Sequence, residues 1–311
     1  MEQTPSLKIE HDFVQNSERV KSVDMHPTEP WVLLGLYSGT ISIWNYQTKV
    51  QEKSLKISES PVRSAKFIVR ENWVIAATDD KYIRVYNYER MEKIIEFEGH
   101  KDYIRSLDIH PFLPYVVSAS DDQVLKLWNW KKGWSCDETF EGHSHYVMQV
   151  AFNPKDPSTF TSTSLDGTLK IWTIDSSTPN FTFEGHSKGV NCVDYFDSNE
   201  KQYLLSGSDD YTAKVWDYDS KVCIKTLEGH KNNVTTICAH PDIPIIFTAS
   251  EDSTVKIWDV VSYRLETSLD FGLERVWSIG YKKGSSKIVF GCDKGFIIVT
   301  VKFASRQAKQ D

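Results

Sequence analysis

The sequence contains no apolar run near the roughly 18 residues that a membrane-crossing helix requires. Its opening residues, Met1-Glu2-Gln3-Thr4-Pro5-Ser6-Leu7-Lys8, carry neither a basic nor an apolar stretch, so no secretory signal is legible there. Five cysteines (Cys136, Cys192, Cys223, Cys238 and Cys292) form an odd set without a Cys-x-x-Cys pair, as expected for idle or buried thiols in a reducing compartment. Positive charge is not in excess: 36 basic against 43 acidic residues leave a net charge of −7, which argues against a whole-surface nucleic-acid binder. Glycine-rich phosphate loops, a nucleophile elbow and zinc-spaced His/Cys sets are all missing, so no enzyme, cofactor or metal is expected. No segment shows the 3.6-residue period of an amphipathic helix.

Aromatic residues are plentiful, at 13% of the chain with ten tryptophans, and their spacing is regular. Ile43-Trp44-Asn45, Val85-Tyr86-Asn87, Leu127-Trp128-Asn129, Ile171-Trp172-Thr173, Val215-Trp216-Asp217, Ile257-Trp258-Asp259 and the degenerate Val299-Thr300-Val301 recur at intervals of 42, 42, 44, 44, 42 and 42 residues. Gly-His pairs at 99–100, 142–143, 185–186 and 229–230 keep step, each 28 to 30 residues before its tryptophan. Between the markers lie alternating runs such as Tyr103–Ile109, bounded by turn signals such as His110-Pro111 and Asp166-Gly167. Seven copies of one strand-rich unit make a repeat architecture.

A Gly-His…Trp-Asp unit of about 42 residues resembles the WD-repeat family, whose blades are four-stranded antiparallel sheets set radially around a channel. The resemblance implies an all-β, seven-bladed propeller over residues 1–304 as one domain. The last copy lacks an outermost strand, and Leu7–Phe13 is a strand-like orphan, so the N-terminal strand is expected to pair into blade 7 and close the ring. Copies one, two and seven lack the Gly-His pair. The resemblance also assigns His100, His143, His186 and His230 to a structural network. In it each histidine bonds an aspartate six residues before the tryptophan marker, from the series Asp80, Asp122, Asp166, Asp210 and Asp252.

In register, the residue before that aspartate reads Tyr37, Asp79, Asp121, Leu165, Asp209, Glu251 and Asp293 across the seven copies. The residues opening the innermost strands include Glu18, Asp102 and Lys188, then Arg19, Tyr103, Tyr146 and Arg275. Two places further on come Lys21, Arg63, Arg105, Met148, Asn191, Thr235 and Trp277. Blades 7, 1 and 2 thus bring Arg275, Arg19, Lys21 and Arg63 to one side of the upper face. Blades 2 and 3 bring Asp79, Asp102 and Asp121 beside them. A basic cluster next to an acidic one suits a peptide C-terminus with lysines just upstream.

The motifs His26-Pro27-Thr28-Glu29-Pro30-Trp31, Pro61-Val62-Arg63, Asp102-Tyr103-Ile104-Arg105-Ser106, Phe152-Asn153-Pro154-Lys155-Asp156-Pro157 and Gly272-Leu273-Glu274-Arg275 closely resemble the N-terminal propeller of coatomer beta-prime subunits, from the COPI vesicle coat. The resemblance implies recognition of C-terminal dilysine signals, KKxx or KxKxx, on cytosolic tails of membrane cargo during Golgi-to-ER transport. It assigns Arg19, Lys21 and Arg63 to the terminal carboxylate, Asp102 and Asp121 to a signal lysine, and Tyr37 to the peptide's flank. Asp79, Tyr146, Asp209 and Arg275 join them on register alone. The implied location is the cytoplasm, peripheral on Golgi membranes and coated vesicles without insertion into the bilayer. The implied partners include the alpha and epsilon coatomer subunits. The polar stretch 305–311 is expected to begin a linker to further domains. The alternative reading is a general WD scaffold, a ubiquitin-binding or ligase-adaptor propeller, using the same face for a folded partner.

Overall fold

The computed structural model describes residues 7–303, and the polar stretch 305–311 lies outside them. Seven four-stranded antiparallel sheets account for every strand among the described residues. Blades 1 to 6 run in simple meander order from an inner strand outward; the inner strands of blades 1 to 3 are Val20–Met25, Val62–Ile68 and Ile104–Ile109. Second strands such as Tyr115–Ser120 are buried at every residue but the first, because neighbouring blades cover both faces. Outermost strands such as Val50–Lys56 hold only exposed and half-buried residues, because their outer edge meets water. Apolar clusters span adjacent blades: Ile75 and Val85 of blade 2 pack with Leu107, Val116 and Trp128 of blade 3.

The seventh sheet closes the ring as expected. Leu7–Asn16 pairs antiparallel with Gly295–Phe303, outside Lys287–Cys292 and Val276–Tyr281. The closing strand runs three residues beyond the expected Phe13 and carries a bulge between His11 and Phe13. Val289, Phe296 and Ile298 of blade 7 share a core with Val20, Val23 and Leu34 of blade 1, so the first and last blades are packed neighbours.

The histidines are structural, as the repeat implied. In blade 3 the Trp128 indole N–H donates to Ser118 Oγ at 2.8 Å, Ser118 Oγ lies 2.6 Å from His100 Nε2, and His100 Nδ1 lies 2.9 Å from Asp122. Trp172–Ser162–His143–Asp166, Trp216–Ser206–His186–Asp210 and Trp258–Thr248–His230–Asp252 repeat the relay in blades 4 to 6. One proton assignment satisfies each chain: indole to hydroxyl, hydroxyl to Nε2, Nδ1–H to carboxylate, with a neutral imidazole. Burial lowers the pKa of His100, His143 and His230, in keeping with that neutral form. Burial alone would raise the aspartates. Hydrogen bonds, from His100 and the Lys101 amide at Asp122 and chiefly from Thr254 and the Lys231 amide at Asp252, hold both carboxyls down to about 2.

Blade 2 departs from this pattern in a way the sequence did not announce. The expected Asp80 is present, but Ser58 Oγ donates to it at 2.6 Å and Arg84 reaches it at 2.8 Å and Thr78 Oγ1 at 2.7 Å. A buried guanidinium stands in for the missing imidazole. The cysteines form no disulfide among the described residues: Cys192, Cys238 and Cys292 are buried, Cys223 is half-buried and Cys136 is exposed.

Ser162→Ala would leave the His143 and Trp172 nitrogens unpaired in a fully buried place, and should cost roughly 1–3 kcal/mol of stability, read as a lower denaturant midpoint. The lowered aspartates also set a pH window. Their contribution is complete above about pH 4 and is lost as pH falls toward about 2, so the melting temperature should drop steeply across that interval. A flat melting profile there would show that the relay carboxylates are not held charged.

Candidate functional site

Each blade places the same pair of positions at the upper mouth of the central channel. In every blade the pairing of the inner strand with the second strand slips by one residue near its start. The residues at the slip are Lys21, Arg63, Arg105, Met148, Asn191, Thr235 and Trp277. A bulged residue leaves the ladder and its side chain is re-aimed; all seven line the channel, whose volume is about 720 Å³.

The turn joining second and third strands is pinned above them. The amides of Tyr37, Asp79, Asp121, Leu165, Asp209, Glu251 and Asp293 donate to the carbonyls of Arg19, Pro61, Tyr103, Tyr146, Gly189, Asn233 and Arg275 at 2.9–3.1 Å. The turn's fourth residue takes a left-handed conformation, φ +74° at Gln123 and +88° at Gly39, and a Cβ on Gly39 would meet the Ser58 carbonyl at 2.0 Å. In blades 2, 3, 5 and 7 the turn side chain accepts a hydrogen bond from the bulged residue of its own blade. Tyr37 turns instead toward two arginines.

The charges therefore interleave rather than segregate into the two clusters read from the sequence. Arg63 binds Asp79 through Nε at 2.7 Å and Nη2 at 2.6 Å. Arg105 holds Asp121 in the same two-point way, Nε at 2.7 Å, and Asp121 is almost fully buried. Asn191 donates to Asp209 at 2.7 Å and Asn233 to Glu251 at 3.1 Å. Asp293 gathers the Trp277 indole N–H at 2.7 Å, Arg275 Nε at 2.7 Å and Arg19 Nε at 2.6 Å, the last close but outside hydrogen-bond geometry. Burial would raise the Asp293 carboxyl; the Trp277 and Arg275 hydrogen bonds and the two guanidinium charges bring it below its ordinary value.

Three charged candidates have no counter-ion among the described residues: Asp209, which the Asn191 amide holds, and Lys21 and Asp102, which make no hydrogen bond to another side chain. Lys21 forms no ion pair, and its Nζ lies 3.1 Å over the Trp277 ring of blade 7. Asp102 accepts from its neighbour's amide, Tyr103 N, at 2.8 Å and from no cation. Tyr37 is 44% exposed and stands between Arg19 and Arg63, whose guanidinium carbons lie 4.7 and 5.8 Å from its ring centre. Tyr146 is also exposed, with its ring edge on His145 at 4.5 Å.

The structure thus brings Arg19, Lys21, Tyr37 and Arg63 together at the mouth, with Asp79 tied to Arg63. It brings Asp121 to Arg105, leaves Asp102 on the rim of blade 3, and sets Asp209 across the channel. Arg105 and Trp277 were missed as site residues. Their signal was in the register, since both occupy the position of Lys21 and Arg63. Below the mouth, Asp24, Asp108 and Asp194 accept the amides of Phe67, Phe152 and Ala239 from the next blade at 2.7–2.9 Å, stitching neighbouring inner strands together. No group of three or more His, Cys, Asp or Glu among the described residues is arranged to hold a metal. No helix among them is long and apolar enough to cross a membrane.

A seven-bladed ring, four of whose blades are locked by Trp–Ser/Thr–His–Asp relays, with a polar mouth built on repeated bulges, defines a WD-repeat propeller. The family model described as "WD domain, G-beta repeat" matches residues 7–45, 49–87, 91–129, 134–173, 177–217 and 221–259, and the chain belongs to that family. Its relatives are coatomer beta' subunits. It is 60% identical over 293 residues to coatomer subunit beta' of Rattus norvegicus, covering 94% of this chain and 32% of that protein. It is 64% identical over 295 residues to coatomer subunit beta'-2 of Oryza sativa subsp. japonica and 61% identical over 295 residues to coatomer subunit beta' of Drosophila melanogaster, each covering 95% of this chain and 32% of the relative. The chain thus spans about a third of the length of the relatives it matches.

Asp293 is the most shared anchor of the mouth. Asp293→Asn keeps the shape but withdraws the charge from Arg19 and Arg275, and should cost roughly 1–3 kcal/mol, with the partial exposure of both arginines keeping the loss moderate. Unchanged stability in urea titrations would mean that the two arginines are already satisfied by solvent.

Proposed function

We propose that this propeller recognises the C-terminal tails of membrane proteins carrying dilysine signals, as a cargo-reading module of the COPI coat. The observation that carries the reading is a pair of side chains on the upper face that no other side chain neutralises, a lysine at the channel mouth (Lys21) and an acid on the rim (Asp102), on a chain so similar to coatomer beta' subunits. A terminal carboxylate has a place beside Lys21, with Arg19 and the guanidinium N–H groups of Arg63 not spent on Asp79. Tyr37 supplies an apolar wall for the peptide between them. A signal lysine is received by Asp102, whose second oxygen is free of backbone bonds; lysine suits such a place because it is a flexible point charge with three donors. Asp121 contributes more weakly than Asp102, since Arg105 already occupies both its oxygens. Other coatomer subunits, alpha and epsilon among them, are partners through the rest of the assembly, and the propeller works from the cytosol at Golgi and vesicle membranes.

A short exposed peptide buries little area and loses chain entropy, so affinity should be about micromolar and should weaken with added salt. Calorimetry with an acetylated peptide ending Lys-X-Lys-X-X should show strong loss of binding on C-terminal amidation. Asp102→Asn should weaken the peptide by roughly 1 kcal/mol, about fivefold, and leave the melting temperature nearly unchanged. Equal affinity for the free-acid and amidated peptides would overturn the carboxylate half of the reading; equal affinity of Asp102→Asn and the parent would overturn the lysine half.

A further inference from the structure

The seven bulge positions allow a comparison inside one molecule. Three carry cations. Arg63 and Arg105 each face an acid on the turn of their own blade, Asp79 and Asp121. In blade 1 the acid's place is taken by Tyr37, so Lys21 alone has no carboxylate over it.

The groups around Lys21 are mostly unhelpful to a second positive charge. From its own blade come Arg19 and Tyr37, and from blade 2 comes Arg63, itself bound to Asp79. From blade 7 come the Trp277 ring, Asp293 and Arg275; from blade 6 comes Glu251. Asp293 is engaged by Arg19, Arg275 and Trp277, and Glu251 by Asn233 and Arg275. The indole face favours an ammonium, and the two acids pull the same way. Burial first, and then the charges of Arg63 and Arg19, outweigh them and push the Lys21 pKa down to about 6.

We propose that Lys21 takes up a proton as a carboxylate enters the pocket, so that ligand binding at this mouth is proton-coupled. The inference rests on the peptide-carboxylate reading above. The balance is simple: the Nζ lone pair accepts a proton from the buffer acid, the amine becomes an ammonium, and the arriving carboxylate stays ionised and supplies the counter-charge that blade 1 lacks. No bond to the ligand forms.

The direction follows from linkage. In the free protein Lys21 loses its proton above about pH 6, while in the complex its pKa is raised toward the ordinary lysine range. Below about pH 6 the lysine is already charged and binding takes up nothing. Above it, affinity falls as pH rises, by up to about tenfold per pH unit, until the pKa of the complex is reached. Near pH 7.5 neither the terminal carboxyl nor the lysines of an acetylated peptide titrate. His145, beside Tyr146 on the same face, is a further ionisable side chain and needs its own control.

The test is calorimetry of the chain with the acetylated Lys-X-Lys-X-X peptide at about pH 7.5 in buffers of widely different ionisation enthalpy, where the slope of apparent enthalpy against buffer enthalpy counts protons. The expected slope is uptake of about one proton. Lys21→Arg, which keeps a cation that cannot deprotonate, should bind with a slope of zero, and His145→Gln should keep the parent slope. Binding of the free acid over the amide with no proton uptake would overturn the proposal and leave the recognition reading standing. Uptake that survives in Lys21→Arg would also overturn it. Equal binding of acid and amide would remove the carboxylate half of the recognition reading, and the proposal with it.

Discussion

One backbone hydrogen bond, made seven times, organises the functional end of this molecule. The amide that opens each turn between second and third strands donates to the carbonyl near the start of the inner strand, from Tyr37→Arg19 through Asp293→Arg275. It can form only because the inner strand carries one extra, bulged residue beside it. The extra residue is thrown out of the ladder toward the channel, and in blades 2, 3, 5 and 7 the turn's side chain bonds to it. Sequence positions sixteen or so apart, such as Arg63 and Asp79, become a contact pair for that reason. The Trp–Ser/Thr–His–Asp relays lie behind this arrangement and hold the turn's second acid, so the turn is anchored from both sides.

Against that repetition, the exceptions are informative. A mouth with every cation matched to its own acid would be electrostatically closed, and a charged ligand would have to compete with ready-made pairs. The ring breaks the rule at two points. Blade 1 offers an unmatched lysine because Tyr37 occupies the acid's position, and Asp102 stands just outside the pairing scheme on the opening residue of blade 3. The proposed recognition and the proton coupling both come from such breaks, while the matched pairs fix geometry around them. The deeper channel follows a different logic: its aspartates are spent on amides of the next blade, so they join blades and leave the mouth to face solvent.

Much of this was legible in the chain. The 42–44-residue spacing of Trp44, Tyr86, Trp128, Trp172, Trp216 and Trp258 marks the third strand of blades 1 to 6, where a large side chain packs between blades and, in blades 3 to 6, its N–H finds the relay hydroxyl. The orphan strand at Leu7 and the strandless end near Lys302 point to ring closure, because an open edge on a seventh sheet is unstable. The register series set Arg275, Arg19, Lys21 and Arg63 on one side of the upper face, and in the folded ring these side chains lie around the Tyr37 and Trp277 rings. The relay substitute in blade 2 was not legible. Arg84 lies on a strand position that gives no sign it will turn back to Asp80.

Pattern along the chain therefore determined that one strand-rich unit recurs seven times and which residues of the copies are equivalent, because period and alternation are properties of neighbours in sequence. The blades, their closure into a ring and the upper face were implied by the resemblance to WD repeats. Which charges are spent and which remain available was decided only by the tertiary structure. Arg63, Asp79, Arg105 and Asp121 look like free charges in a series, and become closed pairs once the bulge brings guanidinium and carboxylate within hydrogen-bond distance. Lys21 and Asp102 look no different in the sequence, and are left open because the atom that would have matched each is not there in three dimensions. Charge is written residue by residue, whereas its compensation depends on distance and direction, which only the folded ring supplies.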